Sequence, residues 1–244
     1  METKELADKL VSWVRDKVVT ARCQGVVIGM SGGVDSSVVA VLCRRAFPQS
    51  TLGLIMPCYS IPEDEEHARM VAAKFSIPVQ LVILDSVYDT LLRILPRDKA
   101  DSPATRLAEA NLKSRLRMLT LYYFANRHKY LVVGCGNRSE LATGYFTKYG
   151  DSGVDILPLG NLVKREVCQL ATFLGIPRVI IEKAPSAGLW PGQTDEGEMG
   201  IAYETIDRYL TTGEAPDDLR KKLDSMSAAG EHKRHPPPIA EFQV

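Results

Sequence analysis

A turn with two adjacent glycines carries the residue types that bind nucleotide phosphates. Its candidate residues are Gly29, Met30, Ser31, Gly32, Gly33, Val34, Asp35 and Ser36, and they follow an apolar run at 25–28. Adjacent glycines allow backbone N–H groups to approach an anion without hindrance from a Cβ atom. A helix that begins after such a turn adds unpaired amides and the positive end of its dipole. The serine hydroxyls can donate to phosphate oxygens, and Asp35 offers a hard oxygen ligand for Mg²⁺.

The spacing in this turn differs from two common nucleotide motifs. A Walker loop has four residues between its glycines and then Lys-Ser or Lys-Thr, and a dinucleotide fingerprint reads Gly-x-Gly-x-x-Gly. A plain strand–turn–helix with a capping Asp or Ser is the simplest alternative. The pattern Ser-Gly-Gly-x-Asp-Ser at 31–36 resembles the pyrophosphate loop of the N-type ATP pyrophosphatases. This resemblance implies an enzyme that splits ATP into AMP and pyrophosphate and adenylates an acyl or carbonyl oxygen.

Composition and charge narrow the class of protein. The chain has 244 residues, of which 45% are apolar and 25% charged, as in globular proteins with a sizeable core. Thirty basic residues balance thirty acidic ones, which argues against a large nucleic-acid surface. The N-terminus lacks the apolar core of a signal peptide, and no apolar stretch reaches the roughly 18 residues of a membrane span. We therefore expect a cytoplasmic protein that binds neither nucleic acid nor membrane.

Alternating strands and helices must position the turn. The periodicity predicts strands at 25–30, 51–56, 79–84 and 130–134, and helices at 4–19, 87–95 and 104–128, with further helices after the glycine turn and from residue 62. Leu112, Leu116, Leu119 and Tyr123 mark the expected core face of the longest helix, and Ser102 is a candidate cap before it. This order predicts an α/β fold with a parallel sheet, helices on both faces and a helical C-terminal extension.

Polar residues also follow the fourth predicted strand. The stretches 134–140 and 144–151 are rich in glycine, acids and hydroxyls and show little apolar periodicity. Composition alone fits a surface loop equally well. Ligands of parallel sheets bind at the carboxyl ends of the strands, so the place of these stretches beside the phosphate loop favours a functional site.

Five segments together resemble the ammonia-dependent NAD synthetases. They read NLKSRLRM at 111–118, GCGNRSE at 134–140, GYFTKYGD at 144–151, PSAGLWPGQTDEGEMG at 185–200 and EHKR at 231–234. The resemblance implies a single NAD synthetase domain over 1–244, without a glutaminase domain, and a Rossmann-like fold of the adenine nucleotide alpha hydrolase type. The implied reaction is the last step of NAD biosynthesis. It is ATP-dependent amidation of deamido-NAD with ammonia through an acyl-adenylate, giving NAD, AMP and pyrophosphate.

The same resemblance implies roles for individual residues. The implied catalytic residues are Asp35, Lys164 and Asp151, and the implied Mg²⁺ ligands are Asp35 and Glu140. ATP would contact residues 29–36 together with Cys135, Lys164 and Ser186, and deamido-NAD would contact Arg115, Lys148, Asp155, His232 and Lys233. Many relatives carry Thr where this chain has Cys135 and Ser186, so Ser186 keeps a hydroxyl donor whereas Cys135 keeps only a backbone contact. On composition alone, Lys164 and Arg115 fit solvated helix residues equally well.

Two further expectations concern the amination step. Asp151 is a candidate acceptor for the proton of ammonium, although Asp after Gly is also an ordinary turn residue. The glycine-bearing segment 185–197 is a candidate lid that excludes water from the acyl-adenylate. The resemblance also implies a homodimer, and the long helix at 104–128 is a candidate interface.

Two other functions remain open at the level of sequence. Another N-type ATP pyrophosphatase, a sulfur transferase or amidotransferase acting on a cofactor or tRNA, would carry the same phosphate loop but would leave the segments at 144–151 and 185–200 unexplained. An inactive nucleotide-binding regulator would be indicated by loss of Asp35 or Glu140, and both are present. The sequence also leaves open whether a separate glutaminase supplies the ammonia.

Overall fold

A computed structural model describes residues 2–96, 102–190, 192–240 and 242. Pro191 and residues 97–101 lie outside these residues. The strands are β1 Gly25–Gly29, β2 Thr51–Ile55, β3 Val79–Leu81 and β4 Tyr130–Val133. The helices are α1 Thr3–Thr20, α2 Val34–Ala46, α3 Pro62–Lys74, α4 Asp85–Ile94, α5 Pro103–His128, α6 Arg138–Thr143, α7 Lys164–Leu174, α8 Arg178–Ile181, α9 Asp195–Met199, α10 Tyr203–Thr212 and α11 Asp217–Arg234.

The four strands form one parallel sheet in the order β3-β2-β1-β4. β1 is central, pairing Val27 with Leu52 of β2 on one side and with Val132 of β4 on the other. The predicted strand at 79–84 is three residues too long, because β3 ends at Leu81 and the chain then turns into α4. The loops that leave β1 and β4 therefore lie side by side, as the sequence predicts.

Alternate side chains of β1 point to opposite faces of the sheet. Val26 and Ile28 belong to a core that α1, α2, α3 and α7 complete, whereas Val27 belongs to a core formed with α4 and α5. A strand buried on both faces is the expected result of helices packed on both faces. The predicted α/β architecture with helices on both faces is confirmed.

The core face predicted for the longest helix is wrong in part. Leu116 of α5 is buried, but Leu119 and Tyr123 are 63% and 61% exposed. The buried side of α5 instead includes Leu121 and Phe124. Two apolar stripes run along this helix, and periodicity alone does not tell which of them faces the sheet. Ser102 caps the helix as predicted, since its hydroxyl accepts a hydrogen bond from the Thr105 N–H at 3.1 Å.

The C-terminal helices have a small apolar core of their own. Met199, Ile201, Tyr203, Ile206 and Leu223 are buried together, and α10 and α11 pack against α6 and α7. The predicted helical C-terminal extension is confirmed, and it packs against the helices that follow β4. Among the described residues, no helix is both long and apolar enough to cross a membrane.

Candidate active site

The phosphate loop connects the end of β1 to the first turn of α2. Gly32 has a φ of +80°, and a Cβ at this position would lie 2.2 Å from the Asp64 carbonyl oxygen of α3. Glycine is therefore required here by both conformation and space. The Ser36 and Ser37 hydroxyls donate to the Gly33 carbonyl at 3.0 and 2.8 Å. These bonds hold the turn closed at the start of α2.

Asp35 is the centre of a partly buried polar cluster. The Lys164 ammonium lies 2.5 Å from Asp35 Oδ2, and the Asn137 side-chain amide donates to Asp35 Oδ1 at 2.9 Å. Asn137 also caps α6, where its backbone N–H donates to Glu140 Oε2 and its side chain accepts from the Glu140 N–H, both at 3.0 Å. The loop after β1, the turn after β4 and the first residue of α7 thus meet at one point.

The charges in this cluster perturb one another. Burial, together with the nearby charge of Asp35, raises the pKa of Glu140 to about 8. Burial acts to lower the pKa of Lys164, but the negative charges of Asp35 and Glu140 outweigh it and raise that pKa. Perturbed pKa values of this kind are typical of functional sites.

The same cluster has the donor chemistry for a hard divalent cation. Asp35 and Glu140 lie close enough for their charges to interact, and one lysine pairs with Asp35, so an additional cation would favour ionisation of both carboxylates. In the part of the chain that the structure describes, no group of three or more His, Cys, Asp or Glu side chains gathers as a metal cage. Mg²⁺ is commonly held by one or two carboxylates together with substrate phosphates, so the pair fits it.

A second group of predicted residues gathers around the loop at 144–151. The Arg115 guanidinium donates to the Lys148 carbonyl at 3.3 Å, and the Lys148 ammonium donates to the His232 carbonyl at 2.5 Å. The Lys233 ammonium donates to the carbonyls of Gly144 and Phe146. The C-terminal basic segment is therefore fixed against this loop.

The two predicted aspartates near this loop differ in their surroundings. Asp155 is tied to β4, because its carboxylate accepts from the Val132 N–H at 2.8 Å and from the Tyr122 hydroxyl at 3.0 Å. Asp151 accepts from the Ser114 hydroxyl and the Thr147 N–H, both at 2.9 Å. Its side chain reaches solvent, yet surrounding protein reduces the hydration of the carboxyl and raises its pKa.

Asp151 is also within electrostatic reach of the phosphate site. Its charge affects the pKa of Cys135, which follows β4. Burial is the main reason that the pKa of Cys135 lies well above its usual value, with the charges of Asp35 and Glu140 adding to it. This thiol is therefore protonated at neutral pH and is a poor nucleophile.

The segment at 185–197 is held at several points. The buried Lys113 of α5 donates to the Leu189 carbonyl at 2.8 Å, and the Gln193 side chain accepts from the Leu189 N–H at 2.8 Å. The Ser186 hydroxyl accepts from the Gly188 N–H at 3.1 Å, and a Cβ on Gly188 would lie 3.4 Å from Asp64. Asp64 is also the residue that packs on Gly32, so this segment lies next to the phosphate loop.

Several residues of the site were not predicted as functional. Asn137, which connects Asp35 with Glu140, was detectable only as a cap three residues before a Glu. Asp195 at the start of α9 is buried, and its Oδ1 is one of the buried side-chain atoms for which the described residues provide no hydrogen-bond partner. Its Oδ2 accepts from the Tyr203 hydroxyl at 3.0 Å. The Tyr203 ring lies 5.2 Å from the Lys164 ammonium.

Comparison with known proteins decides the family. The NAD synthase family model matches residues 6–237. The chain belongs to the NAD synthase family. It is similar to the NH(3)-dependent NAD(+) synthetase of Carboxydothermus hydrogenoformans, with 52% identity over 97% of each chain. The likeness to the family that the five sequence segments predict is confirmed.

Solved structures of NAD synthase relatives share the fold over the whole chain. An NMN synthetase from Francisella tularensis has a TM-score of 0.92 at 34% identity and covers 99% of this chain and 100% of its own. An NH3-dependent NAD synthetase from Campylobacter jejuni, in complex with the nitrate ion, has a TM-score of 0.80 at 30% identity, with the same coverage.

Proposed function

We propose that this chain is a ligase that amidates deamido-NAD with ammonia at the expense of ATP. The observation that carries the proposal is the partly buried cluster of Asp35, Lys164 and Glu140 at the end of the phosphate loop, in a chain that matches the NAD synthase family over nearly its whole length. The alternatives of a sulfur transferase and of an inactive regulator account for the phosphate loop but not for the polar group around 144–151.

The chemistry requires two steps. The nicotinate carboxylate attacks the α-phosphate of ATP, and pyrophosphate leaves to give an acyl-adenylate. Ammonia then attacks the acyl carbon, and AMP leaves as the amide of NAD forms and one proton is released. Adenylation is needed because a free carboxylate has no good leaving group. The work of the protein is to position the reactants and to stabilise the charge that develops on phosphate.

ATP would bind against the loop at 29–36. The backbone amides of this loop and the ammonium of Lys164 would donate to the phosphate oxygens. Ser186 and the Cys135 backbone would make further contacts with ATP. Mg²⁺, held by Asp35 and Glu140, would neutralise phosphate charge and so assist the departure of pyrophosphate. Deamido-NAD would contact Arg115, Lys148 and Lys233, which gather around 144–151, together with Asp155 and His232.

Asp151 is the proposed acceptor of the ammonium proton. A raised pKa suits a carboxylate for this work, because a general base is most effective when its pKa lies near the operating pH. Asp151→Asn should therefore reduce NAD formation more than pyrophosphate release. An equal loss in both measurements would remove Asp151 from the amination step.

We further propose a homodimer in the cytoplasm. The exposed apolar side chains Leu107, Leu119 and Tyr123 lie on α5 and form the candidate interface. A second copy of α5 is the proposed occupant of this face. Several large apolar side chains exposed along one helix often mark such an interface.

One assay tests the main proposal. Protein is incubated with ATP, deamido-NAD, ammonium and Mg²⁺, and both pyrophosphate and NAD are measured. We expect one NAD for each pyrophosphate, and strong loss of both in Asp35→Asn and Glu140→Gln. An assay in which the unaltered chain makes no NAD, although it binds ATP, rejects the proposal.

A second candidate substrate is the acid form of NMN, nicotinate mononucleotide. The similarity to the solved NMN synthetase, which is higher than that to the solved NAD synthetase, favours it. Measurement of kcat/KM with each acid under the same conditions separates the two. A larger kcat/KM for nicotinate mononucleotide would favour the second candidate, and a larger value for deamido-NAD the first.

A further inference from the structure

Asp207 of α10 lies at the point where α6 and α7 begin, although it comes more than 40 residues after them in the chain. Its side chain is buried, with 4% of the residue exposed. Oδ1 accepts from the Ser139 hydroxyl at 2.6 Å and from the Lys164 N–H at 3.3 Å, and Oδ2 accepts from the Arg165 N–H at 2.7 Å. Hydrogen bonds to a buried carboxylate are strong, so these four residues form a rigid unit.

These bonds replace a local cap of α7. The residue before the helix is Val163, which has no side chain that can accept, so the first amides of α7 need a partner from elsewhere. Asp207 supplies it. The carboxylate also lies at the positive end of the α7 dipole, which offsets the unfavourable position of a cationic lysine in the first turn.

The residues that Asp207 holds are neighbours of the chemistry. Lys164 pairs with Asp35 through its ammonium, while its backbone N–H donates both to Asp207 and, at 3.2 Å, to the Ser139 hydroxyl. Ser139 directly precedes Glu140 in α6. One buried carboxylate therefore bonds the Ser139 hydroxyl of α6 on one side of the cluster and the backbone of α7 on the other.

α10 contacts both the side-chain ammonium and the backbone N–H of Lys164. Tyr203 and Asp207 are four residues apart and so lie on one face of the helix. The Tyr203 ring lies beside the Lys164 ammonium, and its hydroxyl bonds Asp195 at the end of the 185–197 segment. The segment that would cover the site and the lysine that would bind phosphate are thus connected through a single helix face.

We propose that Asp207 is a positioning residue that sets Lys164 and Glu140 for the adenylation step. The inference rests on the proposed function, because it assumes that these two side chains act on ATP and its metal. It adds that α10, to which the proposed function assigns no contact with ATP, sets the geometry of the ATP phosphate site.

The test compares Asp207→Asn and Asp207→Ala with Tyr209→Phe. Tyr209 lies on the same helix and donates to Asp224 of α11 at 2.8 Å, so its loss loosens α10 without touching α7. Ser139→Ala removes the hydroxyl that connects Asp207 with the Lys164 N–H, and it serves if the Asp207 variants fold poorly. The measurements are kcat for pyrophosphate release, KM for ATP and for deamido-NAD, half-saturation by Mg²⁺ and the Tm.

Loss of a residue that orients metal ligands typically costs about 10- to 100-fold in activity or metal affinity. We expect such a loss in kcat and Mg²⁺ half-saturation for Asp207→Ala, a smaller loss for Asp207→Asn, which keeps one acceptor, and little change in KM for deamido-NAD. Equal losses in Tyr209→Phe at a matched Tm, or Asp207 variants that resemble the unaltered enzyme, overturn the proposal.

A second measurement does not depend on activity. Acetic anhydride labels accessible lysines, and mass spectrometry compares Lys164 with the exposed Lys129 in the same sample. Lys164 is buried, so it should react slowly in the unaltered chain and faster in Asp207→Ala. Unchanged labelling of Lys164 would contradict the inference even if the chain makes no NAD, whereas the absence of NAD alone counts against the proposed function.

Discussion

Asn137 connects the two carboxylates of the site through three hydrogen bonds. Its side chain bonds Asp35 on one side and the Glu140 N–H on the other, while its backbone bonds the Glu140 carboxylate. It is fully buried, so no water can substitute for these bonds without rearrangement. The residue therefore sets the distance between two groups that would otherwise repel each other.

Replacement of Asn137 should reduce the rate of adenylation strongly and the stability of the fold only slightly. We expect Asn137→Ala to lower the rate of pyrophosphate release by about 10- to 100-fold, since it removes the side-chain amide that holds Asp35 and the acceptor that fixes the Glu140 N–H. Loss of the cap on α6 should lower the free energy of unfolding by about 1 kcal/mol. Asn126→Ala, on the exposed side of α5, is the control, and a rate for Asn137→Ala equal to that of the control would contradict the prediction.

The pKa of Glu140 predicts how stability changes with pH in protein freed of divalent cations. The folded pKa of about 8 lies above the usual value near 4.5. Between these values the folded state keeps a proton that the unfolded state has lost, so stability should fall as pH rises through this window. Above about pH 8 both states are ionised and the loss is complete.

Glu140→Gln should remove this dependence, because Gln keeps the capping bond but does not ionise. Chemical denaturation at several values between pH 5 and 9 gives the free energy of unfolding. We expect the stability of Glu140→Gln relative to the unaltered chain to increase with pH. Glu166→Gln changes the equivalent capping bond of α7 and is the matched control. Identical pH profiles for the two variants would show that Glu140 does not carry the effect.

The helices position side chains from distant parts of the chain close to one another in the site. The first turn of α7 supplies Lys164, α6 supplies Glu140, and α5 holds the 185–197 segment through Lys113. The Lys113 ammonium also lies 5.3 Å from the centre of the Tyr88 ring, and burial lowers its pKa. Such a lysine is held by specific partners rather than by water.

Loosening this segment should uncouple the two half-reactions. A hydrogen bond from a charged group contributes about 1.5–3 kcal/mol, so its loss should increase the open population by about tenfold or more. Lys113→Met should therefore admit water to the acyl-adenylate and raise the ratio of AMP to NAD produced. Lys74→Met, which removes another lysine that lies beside an aromatic ring, is the control. A ratio that stays at one in Lys113→Met would show that this bond does not keep the site closed.

The exposed apolar stripe of α5 predicts the oligomeric state of the whole molecule. A face with Leu119 and Tyr123 more than half exposed is unfavourable in water, and its burial between two copies would stabilise a dimer. We expect the unaltered chain to sediment as a dimer and Leu119→Asp to shift it towards monomer at micromolar concentration. Val19→Asp changes an equally exposed apolar residue on α1 and should leave the assembly unchanged. Sedimentation of the unaltered chain as a monomer would rule out the interface.

The sequence by itself determines much of this molecule because its signals are local. The alternation of apolar strands with amphipathic helices specifies a parallel sheet, and adjacent glycines such as Gly32 and Gly33 permit a turn that side chains would hinder. Short motifs of this kind also carry the family resemblance, which is why the fold and the family were predictable before any contact was known.

Only the tertiary structure decides which residues cooperate, since cooperation depends on contacts between distant parts of the chain. Asp35 and Lys164 are 129 residues apart, and no periodicity predicts their ion pair. The choice of buried stripe on α5 is likewise decided by the sheet it packs on, and the helical pattern alone led to the wrong face for Leu119 and Tyr123. The role of Asp207 follows the same rule: an aspartate inside a helix looks like a solvated residue until the amides it accepts from are brought beside it by packing.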